Sequence, residues 1–148
     1  MKVAIVYASV HHKNTEKLVN AIVAKHPDVD LIDATKTVLK SLTAYDIVGF
    51  ASGIFYTKLH KSLLNFINEN LPAHKKVFVM YTCGKDTPAY LKSIEQLIQA
   101  KDAVLTGYFS CLAYDTWGPL KLTGGLNKGR PNEEDIQKAI EFFENTCK

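Results

Sequence analysis

The chain has 148 residues, and 47% of them are hydrophobic, which is typical of a folded domain and not of a disordered chain. A net charge of +3, spread over scattered Lys and Arg residues, argues against a nucleic-acid-binding protein. No apolar run approaches the length of about 18 residues that a membrane span needs, and the apolar N-terminal run is too short for a signal peptide. Cys83, Cys111 and Cys147 form no C-x-x-C pair, which predicts reduced thiols in a cytoplasmic protein. We expect one domain over residues 1–148.

Apolar runs that alternate with helical spacing predict five β-α units. The predicted strands cover residues 2–8, 30–33, 46–52, 76–82 and 103–114, with Gly107 as a candidate break in the last strand. The predicted helices cover residues 15–26, 36–42 (a brief helix) and 58–71, a stretch after the Thr87-Pro88 cap, and a last helix that Asn132 caps. Strands that alternate with helices predict an α/β fold with a parallel sheet and helices on both faces.

A ligand of such a fold lies beyond the carboxyl ends of the strands, where the strand order reverses. The loops expected at that edge are 9–15, 51–58, 83–87 and 115–131. The first loop carries Ser9, His11, His12, Lys13, Asn14 and Thr15 at the start of a helix. Helix N-termini attract anions, so this cluster predicts a phosphate site. The alternative is that Asn14 only caps the helix and its neighbours are solvated.

The second and third loops predict a flat ligand beside that phosphate. Phe55 and Tyr56 follow the third strand and could stack on a ring, although either could equally belong to the core. Ser52, Gly53 and Ile54 precede them, and Gly53 could also be an ordinary turn residue. Cys83, Gly84 and Lys85 form the next loop, where Cys83 is more simply a buried inert thiol. Trp117 could cover a cofactor or pack against the protein.

Other kinds of site find less support in the residue patterns. The stretch "GGLNKGR" (124–130) lacks the P-loop spacing and is interpreted as a flexible surface loop. His11, His12, His60 and Asp86 match no zinc spacing, so no metal is expected. No Ser-His-Asp arrangement or nucleophile elbow is present, and we expect no acid-base catalytic residue.

Two stretches resemble the flavodoxin family, and the resemblance covers essentially the whole chain. "SVHHKNT" (9–15) is similar to the family's phosphate loop, S/T-x-T-G-x-T. Ser9, Asn14 and Thr15 match it, Lys13 replaces the glycine, and a histidine replaces a hydroxyl. "VGFASGIFYTKLHKSLLNFI" (48–67) is similar to the corresponding stretch of the flavodoxin-type protoporphyrinogen oxidases, G-A-S-I-x-Y-G-x-x-H.

The resemblance implies a three-layer, doubly wound, five-stranded parallel sheet in the order 2-1-3-4-5 and a noncovalent FMN. Residues 9 and 11–15 would hold the phosphate. Residues 52–56 and 83–85, with Trp117, would surround the ring. The implied function is electron transfer between a reductase and an acceptor protein. Two alternatives stay open: a flavin-dependent oxidoreductase with a quinone or similar substrate, and a flavin-free module that binds a partner. Short-chain flavodoxins are usually acidic, whereas this chain carries +3.

Overall fold

The computed structural model describes residues 1–10, 13–114 and 124–147. Strands and helices alternate along the chain. Their order is β1 (Val3–Ala8), α1 (Asn14–Lys25), β2 (Asp30–Asp33), β3 (Ile47–Phe55), β4 (Lys58–Leu59), α2 (Lys61–Asn70), β5 (Lys76–Cys83), α3 (Pro88–Ala100), β6 (Val104–Leu112) and α4 (Glu133–Thr146). Among the described residues, no helix is both long enough and apolar enough to cross a membrane.

Five strands form one parallel sheet in the order β2-β1-β3-β5-β6. The two-residue strand β4 pairs antiparallel with the end of β3 and lies off this path. Without β4 the order is the expected 2-1-3-4-5, so the predicted fold is confirmed. The chain leaves β1 toward β2 on one side and returns to β3 on the other, which puts the reversal point between β1 and β3.

The sheet is buried on both faces because its inner strands are nearly continuous apolar runs. On one face, Val6, Phe50 and Val79 pack with Leu63 of α2 and Ile94 of α3. On the other face, a second cluster joins the sheet to α1 and α4, and it contains Ile5, Ala51, Met80, Leu18, Ile22, Ala139 and Phe143. Two helices therefore cover each face of the sheet, as the doubly wound prediction requires.

The predicted helix over residues 36–42 is wrong. Residues 36–42 form no helix: Lys36 belongs to a turn, Val38 to a bend, and Val38 and Leu39 are exposed to solvent. The Asn70 side chain holds this segment, donating to Val38 O at 2.8 Å and accepting from Lys40 N at 2.9 Å. Helices this short are marginal, and the hydrogen bonds from Asn70 satisfy backbone groups of the segment instead.

The boundary between the third strand and its helix also differs from the prediction. β3 continues to Phe55 instead of ending at residue 52, and the helix begins at Lys61 instead of residue 58. The chain between them is a hairpin, in which Ile54 pairs with Leu59 and Phe55 with Lys58. The helix starts late because His60 is its N-cap and accepts a hydrogen bond from Ser62 N at 3.1 Å.

The last parallel pair contains one irregularity. Leu105 pairs with Val77, but the next residue of β5, Phe78, pairs with Gly107. Thr106 is thus an extra residue in β6, and its hydroxyl donates to Val77 O at 3.0 Å. The strand is therefore not broken at Gly107, where a break was predicted. It contains a β-bulge one residue earlier and continues to Leu112.

Candidate functional site

The carboxyl ends of the four neighbouring strands β1, β3, β5 and β6 meet at one edge of the sheet. Ala8 is in register with Ser52, Gly53 with Thr82, and Cys83 with Leu112. The loops that begin at Ser9 and Gly84 and the hairpin that follows Gly53 therefore lie side by side at the reversal point. His11, His12 and Trp117, which the sequence also assigned to this site, lie outside the described residues.

The first loop enters α1 through Lys13, which is the N-cap residue with φ 54° and ψ 39°, in the left-handed region. Glycine adopts this conformation most readily, and the family's phosphate loop has a glycine at the matching position. Lys13 therefore adopts a conformation typical of glycine without being one. The Lys13 side chain is 73% exposed, with its Nζ 3.8 Å from Glu16 Oε2.

The start of α1 presents backbone donors toward this edge. Ser9 Oγ accepts from Glu16 N at 3.1 Å, and Lys13 O accepts the N–H of Lys17 at 3.2 Å. The N–H groups of Asn14 and Thr15 belong to the first turn, whose donors have no acceptor within a helix. Together with the positive end of the helix dipole, these donors can receive an anion.

The side chains of Asn14 and Thr15 have protein partners. Asn14 Nδ2 donates to Tyr114 O at 2.8 Å, beyond the end of β6. Its Oδ1 is buried without a hydrogen-bond partner in the described part of the chain. Thr15 Oγ1 lies 3.1 Å from Thr82 Oγ1, and both threonines are buried. Asn14 does not cap α1, because the cap position is Lys13, and both side chains tie the loop to neighbouring strand ends.

The second loop is the β3–β4 hairpin, and buried Ser52 fixes its base. Ser52 Oγ donates to Gly53 O and accepts from His60 N at 2.8 Å. The two turn residues, Tyr56 and Thr57, have φ values of 51° and 68°. Hairpin turns of this kind usually use Asn or Gly, so this turn holds its shape against local preference.

The hairpin separates the two aromatic residues that the sequence could not distinguish. Phe55 is half-buried, and its ring meets the His60 ring edge-on with centroids 5.1 Å apart. Tyr56 is 86% exposed. A Cβ on Gly53 would come within 3.3 Å of the Phe55 ring, so the glycine makes room for this packing. Phe55 belongs to the protein's own packing, and Tyr56 is presented at the tip.

The third loop is anchored by groups that the sequence analysis missed. Tyr81, buried on β5, donates from its hydroxyl to Asp86 Oδ1 at 3.1 Å. Burial first, and then the Asp86 charge, raise the pKa of Tyr81 well above its ordinary value. Cys83 is buried, Gly84 is half-buried and Lys85 is exposed. The phenol therefore stays protonated and fixes the loop that carries Gly84 and Lys85.

Asn127 supplies a second anchor. Its Nδ2 donates to Gly84 O at 2.7 Å and to Ala113 O at 3.2 Å. Asn127 thus joins the predicted surface loop over residues 124–130 to the ends of β5 and β6. Asn127 has φ 55°, a conformation that Asn tolerates well, and an Asn in a Gly-rich stretch is the feature that could have indicated it.

A cavity of about 460 Å³ opens beside the third loop, between the ends of β5 and β6 and the start of α4. Phe109 and Cys111 contribute apolar surface, and its polar lining includes Lys85, Asp86, Arg130, Asp135 and Lys138.

Two groups of this lining form an ion pair. Arg130 donates to buried Asp135 through Nη2 and Nε at 2.6 and 2.9 Å, and this guanidinium lowers the pKa of Asp135. Burial, followed by the Asp135 charge, raises the pKa of Cys111 to about 11, so the thiol is no nucleophile near neutral pH.

Metal binding finds no support in the part of the chain that the structure describes. No group of three or more His, Cys, Asp or Glu side chains converges there. His60 Nδ1 lies within hydrogen-bond distance of both Ser62 N and Ser62 Oγ, at 3.1 and 2.7 Å. The described histidine of the hairpin is thus used in capping α2.

Comparison with known proteins decides the family. The family model for the flavodoxin domain matches residues 4–114. The chain belongs to the flavodoxin family. A relative in Methanocaldococcus jannaschii, an uncharacterized protein, is 39% identical over 150 residues, which covers 100% of this chain and 99% of the relative. The family assignment from the residues at 9–15 and 48–67 is therefore confirmed.

Solved flavodoxins share the fold of this chain. A flavodoxin of Streptococcus pneumoniae TIGR4 superposes with a TM-score of 0.68 at 17% identity, covering 99% of this chain and 98% of the other. A flavoprotein of Lactobacillus acidophilus in complex with FMN superposes with a TM-score of 0.57 at 17% identity, covering 74% and 92%. At this identity the likeness establishes a common fold.

Proposed function

We propose that this flavodoxin binds FMN noncovalently at the carboxyl edge of its sheet and passes electrons between partner proteins. The observation that carries the proposal is the left-handed backbone of Lys13 at the point where the strand order reverses. Glycine adopts this conformation most readily, and the matching position of the family's phosphate loop is a glycine, which supports a loop of that kind here. A strained, non-glycine residue persists where the surrounding structure and its use require it.

The residues present fit FMN in chemistry as well as in position. The phosphate carries acceptors for the N–H groups at the start of α1 and for the Ser9 hydroxyl, and a counter-charge for Lys13. The ribityl hydroxyls can donate, and Asn14 Oδ1 is a buried acceptor with no partner among the described residues. Tyr56, exposed at the hairpin tip, supplies a flat apolar face for the ring.

In this proposal the flavin supplies the redox chemistry, and the protein supplies binding, orientation and electrostatics. The first loop orients the phosphate end. The hairpin and residues 83–85 hold the ring end, with Ser52, Gly53, Ile54 and Phe55 fixing the hairpin shape. His11, His12 and Trp117 remain expected contacts. No side chain of the chain is assigned a proton-transfer step.

The test is a titration of flavin-free protein with FMN and with riboflavin, followed by flavin fluorescence. Charge-assisted hydrogen bonds to the phosphate contribute roughly 1.5–3 kcal/mol each. FMN should therefore bind at least about a hundredfold more tightly than riboflavin, which lacks that group. Equal affinities would remove the phosphate role from the first loop, and no binding of either would leave a flavin-free module as the better hypothesis.

Two variants separate the backbone of Lys13 from its charge. Lys13→Gly keeps the left-handed conformation and removes the ammonium group, so it should retain most of the FMN affinity. Lys13→Val keeps neither, because a β-branched residue strongly disfavours this region, and it should bind FMN much more weakly. Equal losses in both variants would mean that the charge matters and the loop shape does not.

A second candidate is a flavin enzyme with its own small substrate, which the cavity of about 460 Å³ beside Lys85 and Asp86 favours. Cavities of this size hold small organic ligands. Sustained turnover of a quinone by the FMN-loaded protein, abolished by filling the cavity with Ser110→Trp, would favour the enzyme over the carrier.

A further inference from the structure

The chain around the β3–β4 hairpin carries positive charge without acidic residues to balance it. From Ile47 to Asn68 there is no Asp or Glu, while Lys58 and Lys61 are both present. Both lysines are exposed. The charge of this segment is therefore uncompensated within the segment itself, and it faces solvent at the carboxyl edge of the sheet.

The charge of Lys61 interacts unfavourably with the dipole of α2. It is the first residue of α2, and the first turn of that helix contains no acidic residue. A cation at a helix N-terminus opposes the helix dipole, and an acidic residue is the usual choice there. The charge of Lys61 is therefore locally unfavourable, and helix stability does not explain it.

The turn of the hairpin, two residues before Lys58, exposes an aromatic side chain. Tyr56 is 86% exposed, and it stands in a turn whose positive φ values at Tyr56 and Thr57 neither residue favours. The base of the hairpin is fixed by the hydrogen bond from His60 N to Ser52 Oγ at 2.8 Å. An exposed, preorganised tyrosine is a feature that protein interfaces enrich.

The loops on either side of the hairpin also carry lysines, but their charge is balanced nearby. Lys13 and Lys85 are exposed in the loops on either side of the hairpin. Each of these two lysines has an acidic residue close to it: Lys13 Nζ lies 3.8 Å from Glu16 Oε2, and Asp86 follows Lys85 in the chain. The hairpin lysines have no comparable acidic neighbour within their own segment.

We propose that Tyr56, Lys58 and Lys61 form a docking surface for an acidic protein, the donor or acceptor of electrons for the site beside them. This inference rests on the proposed function for its redox meaning. Complementary charge steers association and sets orientation more than it sets tight affinity, which suits a partner that must bind and leave. The small, local patch fits a compact protein face better than the long, continuous charge of a nucleic acid.

The probe is cytochrome b5, an acidic haem protein, with cytochrome c as its basic counterpart. Binding to the isotope-labelled full chain is followed by backbone amide shifts at low and at high salt, with and without FMN. We expect salt-sensitive binding of cytochrome b5, with shifts concentrated in residues 52–61, and no such binding of cytochrome c. The flavin-free measurement reports on the surface even if FMN does not bind, so the two proposals fail separately.

Charge reversal provides the matched comparison. Lys58→Glu/Lys61→Glu should weaken cytochrome b5 binding at low salt by at least about tenfold, while the exposed pair Lys40→Glu/Lys76→Glu, near the opposite end of the sheet, should change it less than about twofold. Glu at the start of α2 suits the helix dipole, so unfolding will not mimic the expected loss, and thermal unfolding checks this.

Equal weakening by both pairs, or shifts away from the hairpin, would overturn the proposal. So would salt-sensitive binding to a DNA duplex or to phosphatidylserine vesicles that matches the binding of cytochrome b5 and depends on the same two lysines. That result would mean a general anion-binding surface and not a protein dock.

Discussion

Thr15 Oγ1 and Thr82 Oγ1 lie 3.1 Å apart in a buried hydrogen bond that joins the first turn of α1 to the end of β5. Thr82→Val should destabilise the protein by about 1–3 kcal/mol, because it leaves the Thr15 hydroxyl buried without this partner. The double variant Thr15→Val/Thr82→Val should be less destabilised than the sum of the two single variants. Urea denaturation measures all three, and strict additivity would show that the two hydroxyls do not interact.

The Phe78 ring leaves no room for a side chain at Gly49. A Cβ on Gly49 would lie 2.2 Å from Cζ of Phe78, whereas a Cβ on Gly107 would lie 3.4 Å from Phe142. Gly49→Ala should lower the free energy of unfolding by about 1–3 kcal/mol through overpacking, and Gly107→Ala should lower it less. Phe78→Leu in the Gly49→Ala background should recover part of the loss, and the absence of any recovery would point to another cause.

Tyr56 and Phe55 should respond differently to truncation. Tyr56→Ala should weaken FMN binding by about 1–2 kcal/mol if the ring stacks on the flavin, and it should leave the stability of the flavin-free protein nearly unchanged because the side chain is exposed. Phe55→Ala should destabilise the flavin-free protein, since it removes the contact with His60. Strong destabilisation by Tyr56→Ala with unaltered FMN affinity would contradict this division.

Lys85 should raise the potential of bound FMN. The fully reduced flavin is anionic, so a nearby positive charge stabilises it. One charge about 10 Å away, at an effective dielectric of about 40, contributes roughly 0.8 kcal/mol, or about 35 mV for a one-electron step. Lys85→Gln should lower the potential by about this amount, and Lys76→Gln should leave it unchanged. Spectroelectrochemical titration at two salt concentrations checks both, since salt should shrink the effect.

Asp135 should make the protein sensitive to acid. Its hydrogen bonds from the Arg130 guanidinium, and then from the backbone of Asn132, lower its pKa in the folded state. The stability this carboxylate contributes is fully present above the ordinary carboxyl pKa, and it is lost as the pH falls through the lower folded-state value. Asp135→Asn should be less stable at neutral pH and lose less on acidification, as thermal unfolding from pH 7 to pH 2 can measure. Parallel curves would exclude this carboxylate as the acid-sensitive group.

The sheet was predictable from sequence because its strands are apolar runs of the kind that a sheet covered on both faces needs. The β3–β4 hairpin was not predictable, because its turn residues are Tyr56 and Thr57 and not the Asn-Gly pair that is usual in such turns. The apparent helix over residues 36–42 reflected local composition, and Asn70, far along the chain, decides its structure.

In the candidate site, too, some features could be predicted from the sequence and others could not. The position of the first loop follows from local sequence, and so does its rich supply of hydrogen-bonding groups. The partners of Thr15, Asn14 and Gly84 are Thr82, Tyr114 and Asn127, and no local pattern connects them. Sequence therefore indicates which loops form the edge, whereas long-range hydrogen bonds determine which of their side chains remain available to a ligand.

The extra residue in β6 also bears on how the chain avoids association. Long, straight edge strands can pair with a strand from another molecule, and β6 ends the sheet path at nine residues. The bulge at Thr106 divides it into a short run before the bulge and a longer run after it, and bulges bend a strand and increase its twist. A straight strand of a second molecule could pair with only one of these two parts of β6 at a time. The bulge therefore limits the number of hydrogen bonds that such a strand could form with β6.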